Sequence, residues 1–233
     1  MAIITLTSDM GTKDPHLGSV KGFIMSQLPN IQIVDITHQI APFNIAEAAL
    51  VVRNCYLDFP AKTIHIIGVD SHSDENKDIL LVSYKGQYII ARDNGVISLI
   101  IEGQPEKIIK LHKKSATEAI FPMKDIMAKA ACTLSKNLNE YDLGSYVKDY
   151  NSVTTLSPIL ENEIIRGTVI YIDNYGNAIT NIRKIQIGVQ NEKYSEMDRD
   201  CVWRADRPDF AGGSGGVSRR HEETCTILSG HSN

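Results

Sequence analysis

The chain has 233 residues, 42% of them hydrophobic, and a formal net charge of -4. This length suits one large domain or two small ones, and the mild negative charge gives no reason to expect nucleic acid or an anionic membrane as a partner. No apolar stretch approaches the roughly 20 residues that a bilayer span needs, and the N-terminus lacks the basic-then-apolar layout of a signal peptide. The four cysteines form no CxxC pair, which favours reduced thiols and a cytoplasmic protein.

The first half of the chain alternates between strand and helix patterns. Residues 3–8 predict a strand that stops at Asp9, and a helix is expected to follow. The apolar residues of 32–36 indicate a short buried strand. Asn44 is then placed to cap a helix over 45–57, where the apolar residues share one face.

The alternation continues beyond this helix. Residues 63–69 predict a second buried strand, which ends at Asp70. A hairpin is expected over 79–91, and a longer helix over 122–138. Because strands and helices alternate in this way, residues 1–150 are predicted to form a Rossmann-like α/β domain with a largely parallel sheet.

The remainder of the chain is less regular. Residues 139–162 are polar and are typical of a linker, and residues 163–194 predict the start of a small β domain. From 195 to 233 the periodicity is lost and glycine, arginine and aspartate dominate. Such a segment is expected to be disordered or poorly packed, or not to be the natural end of the domain.

Two turns of the same kind stand out in this pattern. Asp9 follows a strand and is followed by Gly11, and Asp173 follows a strand and is followed by Gly176. A carboxylate at the end of a buried strand lies on rigid backbone at the mouth of a cleft, where open α/β sheets bind ligands. Two such carboxylates favour a hydroxyl-rich, nucleoside-like ligand such as one with a ribose.

Five groups of residues, in order along the chain, carry a resemblance to one family. They lie at 7–11 and 18–22, at 35–40 and 42–45, at 59–60 and 63–65, at 93–95, and at 172–177 and 180–182. Together they resemble the S-adenosylmethionine hydroxide adenosyltransferase family, which also contains the adenosyl-fluoride and adenosyl-chloride synthases. No single match is specific, but their joint order and spacing make a chance resemblance improbable.

The resemblance implies an architecture and a reaction. It implies an N-terminal α/β domain, a small C-terminal β-barrel that is incomplete here, and a homotrimer with active sites between subunits. The family's reaction is a displacement at the ribose 5′ carbon of S-adenosylmethionine, with methionine leaving. S-adenosylmethionine is then the substrate, and no cofactor is expected. Because the sulfonium leaves readily, the protein need only hold the nucleophile in line and exclude competing water.

The resemblance also assigns substrate-binding residues. Asp9 matches the carboxylate that takes the ribose hydroxyls, and Phe43 matches an aromatic residue against the ligand. Asp173 and Asn177 match residues that hold the methionine ammonium and the adenine edge. Without the family, Asp9 and Asp173 would be turn residues and Phe43 would be assigned to the core. Three further residues complete the predicted substrate-binding set: Asn94, Phe121 and Tyr175.

The residues of the reaction itself depart from the family's pattern. Its hydrolases resemble one another in an Asp, Arg and His set that orients and activates water. The aspartate matches Asp70, but Lys77 stands at the position of the arginine and Pro122 at that of the histidine. Lysine keeps the charge and loses the planar fork, and proline carries no exchangeable proton. Catalysis is therefore assigned to Asp70 and Lys77. No histidine clearly replaces the missing one, although His72 lies in the segment after Asp70, from which it could reach a bound water.

Three hypotheses remain for the function. The chain is a hydrolase that forms adenosine and L-methionine, a catalytically silent binder of S-adenosylmethionine or adenosine, or a scaffold that no longer binds. A halogenating enzyme is disfavoured because the chain between Asp70 and Asn94 is too short for that branch's insertion, and Met123 offers no halide donor. No metal is expected, since no pair among the seven histidines has zinc-ligand spacing.

Overall fold

The computed structural model describes residues 3–71, 77–112, 120–136, 142–153, 159–161, 164–182, 202–204 and 224–228. The chain divides into two compact units, Met1–Thr154 and Thr155–Asn233, and each is described by itself. Within the described residues, no helix combines the length and the apolar character needed to cross a membrane.

Unit 1 is built on a mixed sheet of seven strands. These are β1 (Ile3–Ser8), β2 (Gln32–Thr37), β3 (Ile64–Gly68), β4 (Ile79–Tyr84), β5 (Gln87–Arg92), β6 (Lys107–Leu111) and β7 (Gly144–Tyr146). Their order across the sheet is β2-β1-β3-β5-β4-β6-β7. The neighbours in β2-β1-β3-β5 pair in parallel, and the remaining pairs are antiparallel.

The predicted α/β class is confirmed, but the prediction of a largely parallel sheet is wrong. Strands β4 and β5 are joined by the two-residue turn at Lys85 and Gly86, whose φ angles are 49° and 73°. Two positive φ angles are typical of a tight hairpin turn, which makes its strands antiparallel neighbours. The pairs β5-β4, β4-β6 and β6-β7 are all antiparallel.

Helices cover both faces of this sheet. They are α1 (His16–Gln27), α2 (Ile45–Arg53), α3 (Val96–Ile100), and a π-helical turn (Met123–Ala128) that continues directly into α4 (Lys129–Ser135). The π turn, α1 and α4 bury one apolar cluster against β1 and β3, and α2 and α3 bury the other against the opposite face. The central strand β3 is buried throughout because both faces are covered.

Two helices differ from their predicted bounds. The side chain of Asn44 caps α2 as predicted, since its Oδ1 accepts from the amide of Glu47 at 3.1 Å. The helix ends at Arg53 rather than at residue 57, and Tyr56–Asp58 forms a separate 3-10 turn. The helix predicted over 122–138 exists, but its first part is π-helical.

Strand β2 is the clearest departure in burial. It was predicted to be a buried strand, yet Gln32, Val34 and Asp35 are exposed. The reason is its place at the edge of the sheet, where it pairs only with β1. An apolar run alone does not distinguish a central strand from an edge strand.

Part of the predicted linker belongs to the sheet. Strand β7, inside the polar stretch 139–162, pairs with β6. It has three residues, which are too few for a periodicity to show in the sequence.

Unit 2 contains a five-stranded antiparallel sheet. Its strands are β8 (Ile159–Glu161), β9 (Ile164–Ile172), β10 (Asn177–Thr180), β11 (Val202–Arg204) and β12 (Thr224–Leu228). The order is β11-β10-β9-β12, and β8 also pairs with β9. Strands β11 and β12 lie in the segment 195–233, for which no strand was predicted, because such short segments gain their order from pairing with β10 and β9. The rest of that segment, and the boundary at residue 163, lie outside the described residues.

Candidate active site

The carboxyl ends of the parallel strands meet at one edge of the unit 1 sheet. Strand β1 leads into Asp9, β3 leads through Val69 into Asp70, and β5 leads into Asn94. The chain leaves β1 and returns in β2 on one side, while β3 lies on the other side of β1. Helices α1 and α2 accordingly lie on opposite faces. Such a switch point, here between β1 and β3, opens the crevice in which α/β sheets bind ligands.

The carboxylate of Asp9 bridges this switch point. Its Oδ2 accepts from the backbone amide of Asp70 at 3.2 Å and from that of Phe43 at 3.0 Å. Both donors are distant in sequence, so one oxygen ties together the ends of β1 and β3 and the segment before α2. Among the described residues, nothing donates a hydrogen bond to Oδ1 of Asp9.

Asp70 is held by Asn94. The Nδ2 of Asn94 donates to Oδ2 of Asp70 and to the carbonyl of Val69, each at 3.4 Å, and its Oδ1 accepts from the amide of Val96 at 3.2 Å. The Asn94 side chain is buried, so its orientation is fixed on both sides. The turn after β5 thereby sets the direction of the Asp70 carboxylate.

Two residues of the site have left-handed backbone. Asp70 has a φ of 52° and Phe43 a φ of 65°, although neither is glycine. Such conformations cost on the order of 1–3 kcal/mol each and persist only where the surroundings fix them. Here both amides donate to Asp9, which accounts for the fixation. The Phe43 ring is 65% exposed, so the core role that it would have without the family is excluded.

His38 holds the Asp9 turn through contacts with the residues on either side of Asp9. Its Nδ1 lies 2.7 Å from Oγ of Ser8, and its carbonyl accepts from the amide of Gly11 at 2.9 Å. These two contacts fall on either side of Asp9, so a single buried residue holds both arms of the turn. His38 therefore has a structural role at the site.

The outer end of the His38 ring faces a surface ion pair. Its Nε2 lies 3.2 Å from Oδ1 of Asp35, and Nζ of Lys21 lies 2.5 Å from Oδ2 of the same carboxylate. Burial acts to raise the pKa of Asp35, but the hydrogen bonds from Lys21 and His38 outweigh it and lower that pKa. The charged carboxylate is thus the favoured form in the folded protein.

Lys77 is the second residue, with Asp70, to which catalysis was assigned from the sequence. Within the described residues, no contact joins the Lys77 ammonium to Asp70. Its charge acts instead on Asp93. Burial raises the pKa of Asp93, and the charge of Asp78 adds to this, while the amide of Asn151 and the charge of Lys77 act in the opposite direction.

The sequence did not reveal Arg92 as a residue of this region. It ends β5 and is buried, and its guanidinium donates to the carbonyls of Ser71 and Lys77. A charged residue at the end of a strand that is otherwise apolar was the available signal. Its partners are main-chain groups distant in sequence, which periodicity does not identify.

The segment around Phe121 presents no protonatable side chain at the position where the family has a histidine. Pro122 precedes the π turn and is buried, and Met123 is fully buried against β3. A Cβ on Gly68 would lie 2.4 Å from the sulfur of Met123, so a side chain at this position would displace Met123. The ring of Phe121 lies edge-on to His16, with 5.5 Å between the centroids.

In unit 2, Asp173 closes its own turn. Its Oδ1 accepts from the amides of Tyr175 at 2.9 Å and Asn177 at 2.8 Å, and its Oδ2 accepts from Nδ2 of Asn177 at 2.6 Å. Gly176 has a φ of 80°, which glycine adopts without strain. The structural reading of this sequence as a good turn is therefore correct, and ligand contact stays a prediction.

Two features of this turn are suited to a ligand. The Oδ1 of Asn177 is buried and accepts no hydrogen bond from any described residue. Buried polar atoms rarely lack a partner, so an additional donor is expected there. The Tyr175 ring, by contrast, is 79% exposed.

The structure thus brings together four of the predicted residues, Asp9, Phe43, Asp70 and Asn94, at one edge of unit 1. Asp173, Tyr175 and Asn177 form a separate turn in unit 2. Within the described part of the chain, no three His, Cys, Asp or Glu side chains are grouped as metal ligands. His72 lies outside the described residues.

Comparison with known proteins gives a consistent result. Residues 4–144 match the sequence profile of the SAM hydroxide adenosyltransferase N-terminal domain. The chain is 32% identical over 195 residues to an (R)-S-adenosyl-L-methionine hydrolase of Methanocaldococcus jannaschii, covering 79% of this chain and 68% of that protein. A hydrolase with the same name from Thermus thermophilus is 26% identical, with coverages of 81% and 77%.

Two further similarities extend this result. A fluorinase of an Actinoplanes species is 23% identical, covering 79% of this chain and 73% of that protein. The crystal structure of an uncharacterized conserved protein from Thermotoga maritima superposes with a TM-score of 0.76 at 24% identity, covering 97% of this chain and 99% of that one. At this identity the superposition shows a shared fold alone.

Proposed function

Because the chain belongs to the SAM hydroxide adenosyltransferase family, we propose that it hydrolyses S-adenosylmethionine to adenosine and L-methionine. The names of two similar proteins support this activity. The observation that carries the proposal is the crevice between β1 and β3, where Asp9, Asp70 and Asn94 meet. Ligands bind at such switch points in open α/β sheets.

Asp9 is the proposed ribose-binding group. Two backbone amides hold its Oδ2, and Oδ1 accepts no hydrogen bond from a described residue. A ribose hydroxyl that donates to this oxygen would make a charge-assisted hydrogen bond. The exposed ring of Phe43, whose amide donates to the same carboxylate, is then suited to cover the nucleoside.

Asp70 is the proposed group that orients the attacking water. The water's oxygen forms a bond to the 5′ carbon of the ribose while the bond from that carbon to sulfur breaks. The sulfonium sulfur keeps the electron pair and leaves as the neutral thioether of methionine, and the water's proton passes to Asp70 or to solvent. Lys77 is proposed to supply positive charge to the reacting set, which favours a nucleophile that gains hydroxide character.

The remaining expectations form part of the same proposal. Asp173 and Asn177 hold the methionine ammonium and the adenine edge, and Tyr175 and Phe121 add further contacts to the substrate. The parallel strands of unit 1 form a Rossmann-like layer, and unit 2 corresponds to the small β-barrel domain. The protein acts in the cytoplasm as a homotrimer with sites between subunits. It needs neither cofactor nor metal, and it binds neither nucleic acid nor membrane.

A second candidate function is a catalytically silent binder of S-adenosylmethionine or adenosine. One observation favours it. Buried Pro122 and Met123 occupy the segment where the family's histidine is expected, so this segment offers no group to accept a proton. In that case Asp9 would still bind the ribose, while the water near Asp70 would not be activated.

Adenosine release from S-adenosylmethionine by the purified protein distinguishes the two functions. We expect release by the wild type, and a loss of about a hundredfold to ten-thousandfold in Asp70→Ala, the range for a group that handles a proton in the transition state. Asp149→Ala, which removes an exposed carboxylate, is the matched control and should keep full activity.

A calorimetric titration with adenosine completes the test. Binding without release would reject the hydrolase in favour of the silent binder, and the absence of both would reject both functions. Release that persists unchanged in Asp70→Ala would leave the activity standing but remove Asp70 from its proposed role.

A further inference from the structure

Arg92 lies at the end of β5 and contacts the chain that follows Asp70. It is the last residue of β5, its side chain is 4% exposed, and Asn94 follows two residues later. Burying a guanidinium is unfavourable unless hydrogen bonds compensate it, so its position requires explanation.

The hydrogen bonds of Arg92 go to the chain that leaves Asp70. One terminal nitrogen donates to the carbonyl of Ser71, the residue directly after Asp70, and the other donates to the carbonyl of Lys77 at 3.4 Å. The planar fork of arginine suits two acceptors at a fixed separation, which a single ammonium does not provide. One side chain therefore holds both residues that flank 72–76.

Two further hydrogen bonds, one between backbone groups and one between side chains, join the end of β5 to the chain around 72–76. The amide of Asp93 donates to the carbonyl of Asp78 at 2.8 Å, and Nδ2 of Asn94 donates to the Asp70 carboxylate at 3.4 Å. The first contact joins the end of β5 to the residue before β4, and the second joins it to the end of the β3 segment. Arg92 adds hydrogen bonds to the carbonyls of Ser71, the residue after Asp70, and of Lys77.

Asp70 needs such fixation. Its φ of 52° lies in the left-handed region, which a non-glycine residue keeps only when its neighbours fix it. Its amide is held by Asp9, its carboxylate by Asn94, and the next carbonyl by Arg92. Without the last of these, Asp70 would keep the hydrogen bonds at its amide and at its carboxylate but lose the contact that sets the direction of the following chain.

We propose that Arg92 is a positioning residue for the reaction, which it serves by fixing the backbone on both sides of 72–76 and so aligning Asp70 and Lys77. This inference rests on the proposed function, and Arg92 itself does not touch the substrate. It differs from a role in stability alone, because the anchored carbonyls belong to Lys77 and to the neighbour of Asp70. At the ribose site, Oδ2 of Asp9 is held by the amide of Phe43 as well as by that of Asp70, so we expect the loss of Arg92 to affect ribose binding less than turnover.

Steady-state kinetics of adenosine release test the proposal in three variants. Arg92→Met removes the hydrogen bonds to the carbonyls of Ser71 and Lys77, Arg92→Lys keeps the charge without the fork, and Arg53→Met removes an arginine at the end of α2 as the control. We expect kcat to fall about a hundredfold in Arg92→Met, as for a small misplacement of reacting groups. We expect KM to stay within about threefold of the wild-type value, since the amide of Phe43 still holds the Asp9 carboxylate in the variant. Arg92→Lys should lie between, and Arg53→Met should match the wild type.

Chemical rescue separates positioning from a general loss of stability. In Arg92→Ala, added guanidinium ion should restore kcat at least about fivefold, whereas urea, which has a similar shape and no charge, should not. A wild-type kcat in Arg92→Met, or a parallel loss of activity and of folded protein without rescue, would overturn the proposal.

Amide hydrogen exchange makes the test independent of turnover. Amides of Ser71 and Asp78 should exchange faster in Arg92→Met than in the wild type, and equally in Arg53→Met and the wild type. If the wild type releases no adenosine, the proposed function fails. Unchanged exchange in Arg92→Met would separately show that Arg92 does not fix the backbone at Ser71 and Lys77.

Discussion

The Asp9 turn and the Asp173 turn look alike in sequence but use their carboxylates differently. Asp9 accepts from the amides of Phe43 and Asp70, which are distant along the chain. Asp173 accepts from the amides of Tyr175 and Asn177, which lie in its own turn. One carboxylate assembles a site from separate segments, and the other shapes a single loop.

The same strand–aspartate–glycine pattern therefore has two structural roles, one in assembling a site and one in shaping a turn. Within the described residues, one oxygen of Asp9 accepts no hydrogen bond and is available to a ligand. In the Asp173 turn, the buried atom without a described partner is instead Oδ1 of Asn177. If both turns contact the ligand, the first does so through a carboxylate and the second through an amide that the carboxylate orients.

Acidification should have the largest effect on the unit that carries Asp9. His65 lies on β3 beneath the site, with its Nδ1 2.8 Å from Oγ1 of Thr5 on β1. Burial lowers the pKa of His65 from 6.5 to about 4 because it disfavours the charged ring. The unfolded chain therefore takes up a proton first, and unit 1 should lose about 3 kcal/mol of stability as the pH falls from 6.5 towards 4.

The measurement is chemical denaturation of the protein across this pH range. His65→Gln should flatten the pH dependence, while His112→Gln, which alters an exposed histidine, should leave it unchanged. A slope in His65→Gln equal to that of the wild type would show that other groups cause the acid sensitivity.

Removing the Asp9 carboxylate should have the next largest effect. Asp9→Ala should weaken adenosine binding by about 1.5–3 kcal/mol, the range for hydrogen bonds to a charged group. Asp9→Asn should lose less, because its amide oxygen still accepts from the backbone. Calorimetry measures both, with the exposed Asp149→Asn as control. An unchanged affinity in Asp9→Ala would show that the ribose is bound elsewhere.

The two turn glycines give the smallest effect and the closest comparison. Gly11 and Gly176 have φ angles of 66° and 80°, and an added Cβ at either would meet no atom within 4 Å. Each glycine-to-alanine change should therefore cost only the backbone conformation, about 1 kcal/mol of stability. Both should also weaken adenosine binding, since each turn carries a proposed ligand contact.

Gly22 provides the control for this pair. It lies in α1, its φ is not positive and its Cβ position is open, so Gly22→Ala should raise stability slightly. If Gly176→Ala keeps the wild-type affinity for adenosine while Gly11→Ala does not, the Asp173 turn is not part of the nucleoside site.

Much of the fold of unit 1 could be predicted from the sequence because its strands and helices are locally encoded. The runs before Asp9 and Asp70, the Asn44 cap and the turn at Lys85 and Gly86 all formed as expected. The exposure of β2 and the strand β7 could not be predicted. One depends on which strand lies at the edge of the sheet, and the other on pairing between residues distant in sequence.

The candidate site likewise contains residues that could be predicted from the sequence and residues that could not. Asp9 was singled out because it follows a recognisable strand, Asp70 and Asn94 were assigned through the resemblance to the family, and the structure brings the three together. Arg92 was missed as part of the site, because its guanidinium donates to the backbone carbonyls of Ser71 and Lys77, which only the folded chain brings close. Long-range hydrogen bonds of this kind leave no periodicity in a single sequence.

The source of the oxygen in the released adenosine tests the central claim most directly. When S-adenosylmethionine is supplied in water enriched in heavy oxygen, water attack at the 5′ carbon predicts that the label enters the adenosine, with its formation strongly reduced in Asp70→Ala. No adenosine from the wild type, or adenosine without the label, would contradict hydrolysis at the crevice between Asp9 and Asp70.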